Sequence, residues 1–344
     1  MTQSPSPQQE IQQQAGKILS QVAGYVGVKT MEIGLRSGLV EEIAKHPQGI
    51  SADDLAKKLG FDPLYTSVWC RSAYAAEVLD LCENQTYILA PHMETLLLNQ
   101  DFPGNVGGLP AVFTQPEMFD IMAQNLTSGD RIWWDKTSPG WIQGVSATGR
   151  AFYNRLIPGG LSQVPGLADK LASGASTADL ACGAGAGLIK MAENYPNCTI
   201  VGVDGDAHSI EMAKERLKEA GVLDRATLIQ SPLEDLNINE EYDLVINNIS
   251  MHECRDIEKV TANIYRALKP GGYFVISDFP FPESTEDCRT VPARIMCGIQ
   301  FFEATIDDQL LPVKAYLELL NRHGFKNVDS AGITPVHALT FGRK

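Results

Sequence analysis

The stretch Asp179-Leu180-Ala181-Cys182-Gly183-Ala184-Gly185-Ala186-Gly187 constrains this chain more than any other part of it. It stands where an apolar β-run gives way to helical periodicity. Glycines at such a turn let the backbone approach a ligand closely, and the first turn of the helix that follows offers N–H groups with no intrahelical partner. From Ser176 onward the alternation repeats. TADLACG, CTIVGVD, ATLIQS, YDLVINN and YFVISDF are short β-branched or apolar runs, separated by amphipathic stretches such as HSIEMAKERLKEAG and DIEKVTANIYRALK. This rhythm predicts an α/β fold built on a doubly wound parallel sheet. One further helix, LLPVKAYLELLNRHG, and two strand-like pieces around Lys326–Ser330 and Val336–Phe341 complete the segment.

The N-terminal third reads differently. Residues 1–15, rich in Gln, Ser and Pro, read as a frayed terminus, with order expected from about Lys17. Met31, Leu35, Leu39, Val40 and Ile43 recur at helical spacing up to the Pro47-Gln48-Gly49 turn. Ser51 then caps SADDLAKKLG, LYTSVWCRSAYAAEVLDLC reads as a second helix, and ENQTYILAPH as a small hairpin. That order outlines a winged helix over residues 16–100. Charge decides what such a module can bind. Residues 1–100 hold seven Lys+Arg against eleven Asp+Glu, and in residues 63–82 Arg71 is the one cation, beside Glu77 and Asp80. Phosphate contacts supply most non-specific DNA affinity, so a packing or dimerisation module is expected here, not a DNA reader. The whole chain, 344 residues with a formal net charge of −14, likewise disfavours nucleic acid and anionic membrane surfaces as partners.

No apolar run approaches the roughly 18 residues needed to span a bilayer, and the start has no basic or apolar signal region, so a cytoplasmic protein is expected. The seven cysteines are scattered and never spaced C-x-x-C, which argues for reduced thiols. Residues 101–165 carry Gly and Pro breaks followed by Trp133, Trp134, Trp141, Phe152 and Tyr153. They read as a linker with lid helices whose aromatics either anchor the linker to the core or line a substrate pocket.

Two further features sharpen the glycine-rich turn. The second strand ends in Gly202-Val203-Asp204, where a carboxylate can accept hydrogen bonds from two ribose hydroxyls, and Leu268-Lys269-Pro270-Gly271-Gly272 ends a helix and turns into YFVISDF. With these, residues 170–344 resemble the class I S-adenosylmethionine-dependent methyltransferases, whose turn motif reads D-x-G-x-G-x-G; Ala181 stands at its first glycine. The resemblance implies a Rossmann-like sheet and S-adenosyl-L-methionine as donor, with S-adenosyl-L-homocysteine as product. It implies that Asp179 organises the loop and the ligand's amino group, and that Ala181, Gly183 and Gly185 lie against the methionine part. Asp204, with Gly205, would hold the ribose; Ser231, Pro232 and Leu233 would meet the adenine; Asn247 and Asn248 would line the other side.

The N-terminal outline is similar to that of small-molecule O-methyltransferases in which a winged helix forms the homodimer and closes the substrate pocket. Their pattern after strand four has a His followed by an acid, matched here by His252-Glu253. By that resemblance His252 is the general base toward an aromatic or polyketide-like acceptor, and Glu253 or Glu303 orients its ring. Phe301 and Phe302 join Trp133, Trp134, Phe152 and Tyr153 as candidate substrate contacts. Transfer to carbon or nitrogen, and a non-catalytic cofactor-binding regulator, are the alternatives. His252, Glu253 and Glu303 together also offer a nitrogen and two carboxylates for a divalent ion, but adjacent residues rarely point at one ion and the spacing matches no metal motif, so no metal ligand is assigned.

Overall fold

The computed structural model describes residues 6–132 and 136–344, which divide into two compact units, Met1–Gln115 and Pro116–Lys344. The boundary therefore falls inside the segment expected to be a linker. Among the described residues no helix is long and apolar enough to cross a membrane.

The first unit comprises α1 (Pro7–Arg36), α2 (Leu39–Ala44), α3 (Ala52–Leu59), α4 (Pro63–Ala75), β1 (Leu79–Leu81), β2 (Tyr87–Leu89), α5 (Met93–Leu97) and α6 (Gly108–Phe113). Residues 7–15 are helical, contrary to the frayed terminus expected from composition. Ser6 accepts from the Gln9 N–H while the Gln9 side chain accepts from the Ser6 N–H, and Pro7 fills the first helical position where no N–H is needed. The second helix also ends earlier than its apolar pattern suggests. Glu77 takes a left-handed φ of 58° and Val78 N donates to Ala73 O, which turns residues 79–81 into a strand paired with β2. Ile50 adds an antiparallel bridge to Tyr87. Leu39, Val40, Ile43, Leu55, Trp69 and Leu79 form the core of the unit.

The second unit runs α7 (Pro116–Gln124), α8 (Pro139–Arg155), α9 (Leu167–Ala172), β3 (Ser176–Leu180), α10 (Ala186–Asn194), β4 (Thr199–Asp204), α11 (Ala207–Glu219), β5 (Ala226–Gln230), β6 (Tyr242–Asn248), α12 (Ile257–Ala267), β7 (Leu268–Asp278), α13 (Val291–Thr305), α14 (Val313–Arg322), β8 (Lys326–Thr334) and β9 (His337–Arg343). The seven strands lie in the order β5-β4-β3-β6-β7-β9-β8. The first five are parallel; β9 is antiparallel to both β7 and β8, so the closing hairpin departs from the all-parallel expectation. Residues 268–272 belong to β7 from the start, the preceding helix having stopped at Ala267.

Side chains alternate between the faces with the two-residue period of a strand. Leu244, Ile246, Tyr273 and Val275 pack on one side with Leu188 and Met191 of α10 and Leu217 of α11. Val245, Phe274 and Ile276 pack on the other with Val260 and Ile264 of α12 and Leu319 and Leu320 of α14, and a register shift between Tyr242 and Leu244 puts Tyr242 on this side too. Because both faces are covered, the central strands read as continuous apolar runs. The chain winds outward from β3 through β4 to β5, then returns to β6 on the other side of β3. That reversal opens a crevice at the carboxyl ends of β3, β4 and β6.

In the first unit Trp69 Nε1 donates to Thr30 O at 2.9 Å, and the ring packs over Gly34, where an added Cβ would lie 2.4 Å from Trp69 Cζ2 and 2.9 Å from Val40 Cγ2. Gly34→Ala gains about 1 kcal/mol of helix propensity but forces an overpacked contact costing about 1–3 kcal/mol. Net destabilisation is expected in urea denaturation, and a more stable variant would contradict this packing.

Candidate cofactor and active site

The crevice is lined by the turn that follows β3. Ala181 has φ 58°, Gly183 φ 50° and Gly185 φ 80°. Ala181 thus occupies a left-handed position where a Cβ costs about 1–2 kcal/mol, which explains why a glycine suits the first place of the motif. An added Cβ at Gly183 would meet nothing within 4 Å, so this backbone faces open space. Its N–H donates to Asp204 Oδ2 at 2.8 Å, and the Asp206 N–H donates to Oδ1 at 2.9 Å. Asp204 is half-buried at the tip of β4, and burial raises its pKa against the pull of these two N–H groups.

Asp179 lies one strand over, at 2% exposure. Tyr153 of α8 donates to its Oδ1 at 2.9 Å, while Oδ2 is buried with no hydrogen-bond partner. Burial pushes the Asp179 carboxyl up to about 7; the Tyr153 hydrogen bond opposes this and the Asp204 charge adds to it. A buried acceptor without a donor, beside an open glycine turn, fits a ligand that brings an ammonium group. The other predicted cofactor residues divide. Gly205 approaches Pro232, an added Cβ lying 3.6 Å from Pro232 Cα, and Ser231 N–H donates to Asp204 O, so these three adjoin the turn. Leu233 instead belongs to the core beneath α12. Asn247 and Asn248 are buried: Asn247 donates to Leu180 O and accepts from Ser250, while Asn248 accepts from Ser277, so they knit β6 to β3 and β7.

A second group of polar side chains gathers at the ends of β6 and β7. His252 is 6% exposed, in a tight turn opened by Ile249 at φ 49° and closed by Glu253 N donating to Ser250 O. Its Nδ1 lies 2.8 Å from Asp278 Oδ2, and Tyr316 donates to that same oxygen at 2.7 Å. Asp278 Oδ1 accepts from the Phe279 N–H. Asp278, not Glu253, therefore orients the ring. The sequence carried this signal in the penultimate residue of YFVISDF, but the residue lies on a strand whose pairing with β6 only the fold reveals.

Glu303 of α13 approaches from the other side. Its Oε2 lies 3.7 Å from His252 Nε2, beyond hydrogen-bond reach, and is buried without a partner. Burial alone would lower the His252 pKa. The Asp278 charge and hydrogen bond, with Glu303 behind them, more than reverse this and hold it well above the usual imidazole value. Burial and the Glu303 charge push Glu253 well up, and burial with the same charge brings Asp308 to about 6. One ligand atom each from His252, Glu253 and Glu303 lies within 4.8 Å of the others. The expectation that adjacent residues would diverge is thus wrong here, because the turn at 249–253 swings Glu253 back beside the ring.

The aromatic residues expected at a pocket are placed unevenly. Trp133 and Trp134 lie outside the described residues. Trp141, Phe152, Tyr153 and Phe302 are 2–5% exposed and serve the core: Trp141 packs on Phe302 at 4.1 Å, and Phe152 on Phe279 at 4.8 Å. Phe301 is 43% exposed and meets Phe119 edge-on. His337, assigned no role from sequence, accepts from Arg155 Nε at 3.1 Å and lies 2.8 Å from Ser277 Oγ. Burial, with the Arg155 charge, brings its pKa down to about 3.

Residues 171–324 match the family model of a methyltransferase domain. The chain is 31% identical over 101 residues to malonyl-[acyl-carrier protein] O-methyltransferase of Priestia megaterium, covering 29% of this chain and 35% of that protein. The first three curated relatives are matched over 35–51% of their own lengths. Solved structures match along the whole chain. An O-methyltransferase fold from Nostoc punctiforme superposes with a TM-score of 0.74 at 18% identity, covering 99% of this chain and 100% of that one. Human N-acetylserotonin methyltransferase in complex with S-adenosylmethionine gives 0.74 at 16% identity, with 100% and 99% covered. At these identities the structural matches speak to the fold. Residues 171–324 thus match a methyltransferase domain, and the strand order is that of a Rossmann-like sheet.

An ammonium brought to Asp179 Oδ2 favours the ionised carboxyl and draws off its proton. S-adenosylmethionine affinity is therefore expected to rise with pH from 5 to about 7, by up to tenfold per unit, and then to level. Calorimetry in buffers of different ionisation enthalpy measures the released proton. The release should vanish in Asp179→Asn; release undiminished in that variant would remove Asp179 from the ligand site.

Proposed function

We propose that this protein transfers a methyl group from S-adenosylmethionine to an oxygen of a small-molecule acceptor, and that the cluster around His252 takes up the acceptor's proton. When bound, the cofactor supplies an electrophilic methyl group on a sulfonium. The observation that carries the reading is the His252–Asp278 pair at 2.8 Å, which fixes the ring at Nδ1 and leaves Nε2 directed to the Glu303 side. Asp179, the glycine turn and Asp204 would hold the cofactor; Asp278 and Tyr316 would position His252. Asp278 and Glu303 make the ring a strong proton acceptor once its resting proton is shed, because they stabilise the imidazolium that forms. Activity should accordingly climb with pH above the range in which an ordinary imidazole titrates, the base being competent only when unprotonated.

The matched relatives and structures named as O-methyltransferases support oxygen as the acceptor atom. His252→Ala is expected to lower turnover by about 10²-fold or more and to flatten the pH profile, with cofactor affinity nearly unchanged. Turnover close to the parent's would sink the base assignment, and failure of calorimetry to detect S-adenosylmethionine on the parent protein would remove the methyl-transfer reading.

The first unit would serve as a dimerisation module. α1 exposes Ile11, Ile18, Leu19, Val22, Tyr25 and Val26, each 50–70% accessible, a run of apolar surface that a solitary helix has no reason to keep. Sedimentation should find a homodimer, converted to monomer when Val22 and Tyr25 are both changed to Asp; a monomeric parent protein would end this reading.

A further inference from the structure

The described residues hold two buried carboxylate oxygens at the carboxyl edge of the sheet with no hydrogen-bond partner, Asp179 Oδ2 and Glu303 Oε2. The first lies beside the glycine turn and would be met by the cofactor's ammonium group. The second would not. Glu303 is 5% exposed, and its unpartnered oxygen is turned toward His252 Nε2, too far away at 3.7 Å to share a proton well. Leaving a carboxylate oxygen buried and unpaired costs more than any neutral acceptor would. Glu253 faces the same space, and Asp278 and Asp308 add their charge to it.

We infer that His252 Nε2, Glu253 and Glu303 form a binding site for a divalent transition-metal cation such as Mn²⁺, Fe²⁺ or Zn²⁺. Three features converge. The donor set is one imidazole nitrogen and two carboxylates, with the donor atoms within 4.8 Å of one another, so the two glutamate side chains need only draw in by about 1–2 Å to close on one ion at metal–ligand distances near 2.1 Å. The ring is already held as metal-binding histidines are held, with its other nitrogen on a carboxylate, and Tyr316 fixes that carboxylate in turn. The charge fits: Asp278 and Glu303 flank one buried imidazole and Glu253 shares the space, so a dication would let all three carboxylates be ionised together. Three protein ligands leave coordination positions for oxygens of the acceptor. The site therefore suits an acceptor that presents two neighbouring oxygens, as a vicinal diol of an aromatic ring or a keto–enol does.

The inference rests on the methyl-transfer reading for its acceptor class but not for the site itself. With an ion bound, His252 would be a ligand in place of a base, and the charge of the metal would lower the pKa of the acceptor hydroxyl so that its proton passes to solvent. The test uses the full chain after dialysis against chelator. Mn²⁺ is titrated in and followed by electron paramagnetic resonance of the free ion, with S-adenosylmethionine binding measured separately by calorimetry. One Mn²⁺ per chain is expected. Glu303→Gln and Glu253→Gln should each weaken it tenfold or more, and Asp278→Asn by 10–100-fold through the ring it orients. Circular dichroism and retained cofactor binding establish that each variant is folded; should Glu303→Gln not fold, Glu253→Gln carries the test. Absence of saturable Mn²⁺ binding at millimolar concentration while cofactor binding persists overturns the cation site and leaves methyl transfer standing. Binding unaltered by the two glutamate variants overturns it equally. Mn²⁺ binding without cofactor binding would keep the site and remove the methyl-transfer reading.

Discussion

Burial of carboxylates along one edge of the sheet is the constraint on which the rest of this structure depends. Asp179 is the penultimate residue of β3, β4 and β7 end in Asp204 and Asp278, and Glu303 leans in from α13. A parallel sheet covered on both faces gives its strand ends little access to water, so each charge must find a donor within the protein or in a ligand. Asp204 finds two backbone N–H groups, and Asp278 finds a histidine, a tyrosine and a backbone N–H. Asp179 and Glu303 are each left one oxygen short. The same edge that would destabilise a free-standing fold is thereby prepared to receive positive charge at two places.

Much of this was legible in the chain. The alternation of β-branched runs and amphipathic helices from Ser176 specifies the doubly wound sheet, because a strand buried on both faces can only be written as a continuous apolar run. The glycine turn and Asp204 were legible for the related reason that a left-handed backbone and a strand-end acid leave local marks. What the sequence did not reveal depends on pairing between distant elements. Asp278 becomes the partner of His252 only because β7 lies beside β6, and Tyr316 joins them from α14 on the same face. The aromatics of α8 misled for the opposite reason: a run of Trp, Phe and Tyr has the same composition whether it lines a pocket or fills a core. Phe152 and Trp141 fill one. Residues 7–15 misled because low apolar content suggests fraying, whereas a capping box and a proline at the first position set the helix start by local chemistry alone.

The order of strands decides how the two charge-deficient places are used. Asp204, Asp179 and the β6 turn lie on consecutive strands, with Asp278 on the next. At about 4.8 Å per strand, the distance from the β4 tip to the β7 tip is roughly 14 Å. In the proposed reading that width would separate a nucleoside-holding end from a proton- or cation-holding end. Asn247 and Asn248 stand between them, and their hydrogen bonds are spent on Leu180, Ser250 and Ser277, so they hold the spacing rigid. Rigid spacing matters more here than an added contact, since a transfer reaction depends on the two reactants being held in line. The neutral His337 continues this rigidity to α8 through Ser277 and Arg155, with Tyr153 of the same helix reaching Asp179. A single helix thus ties the Asp179 end of the edge to the His337 side.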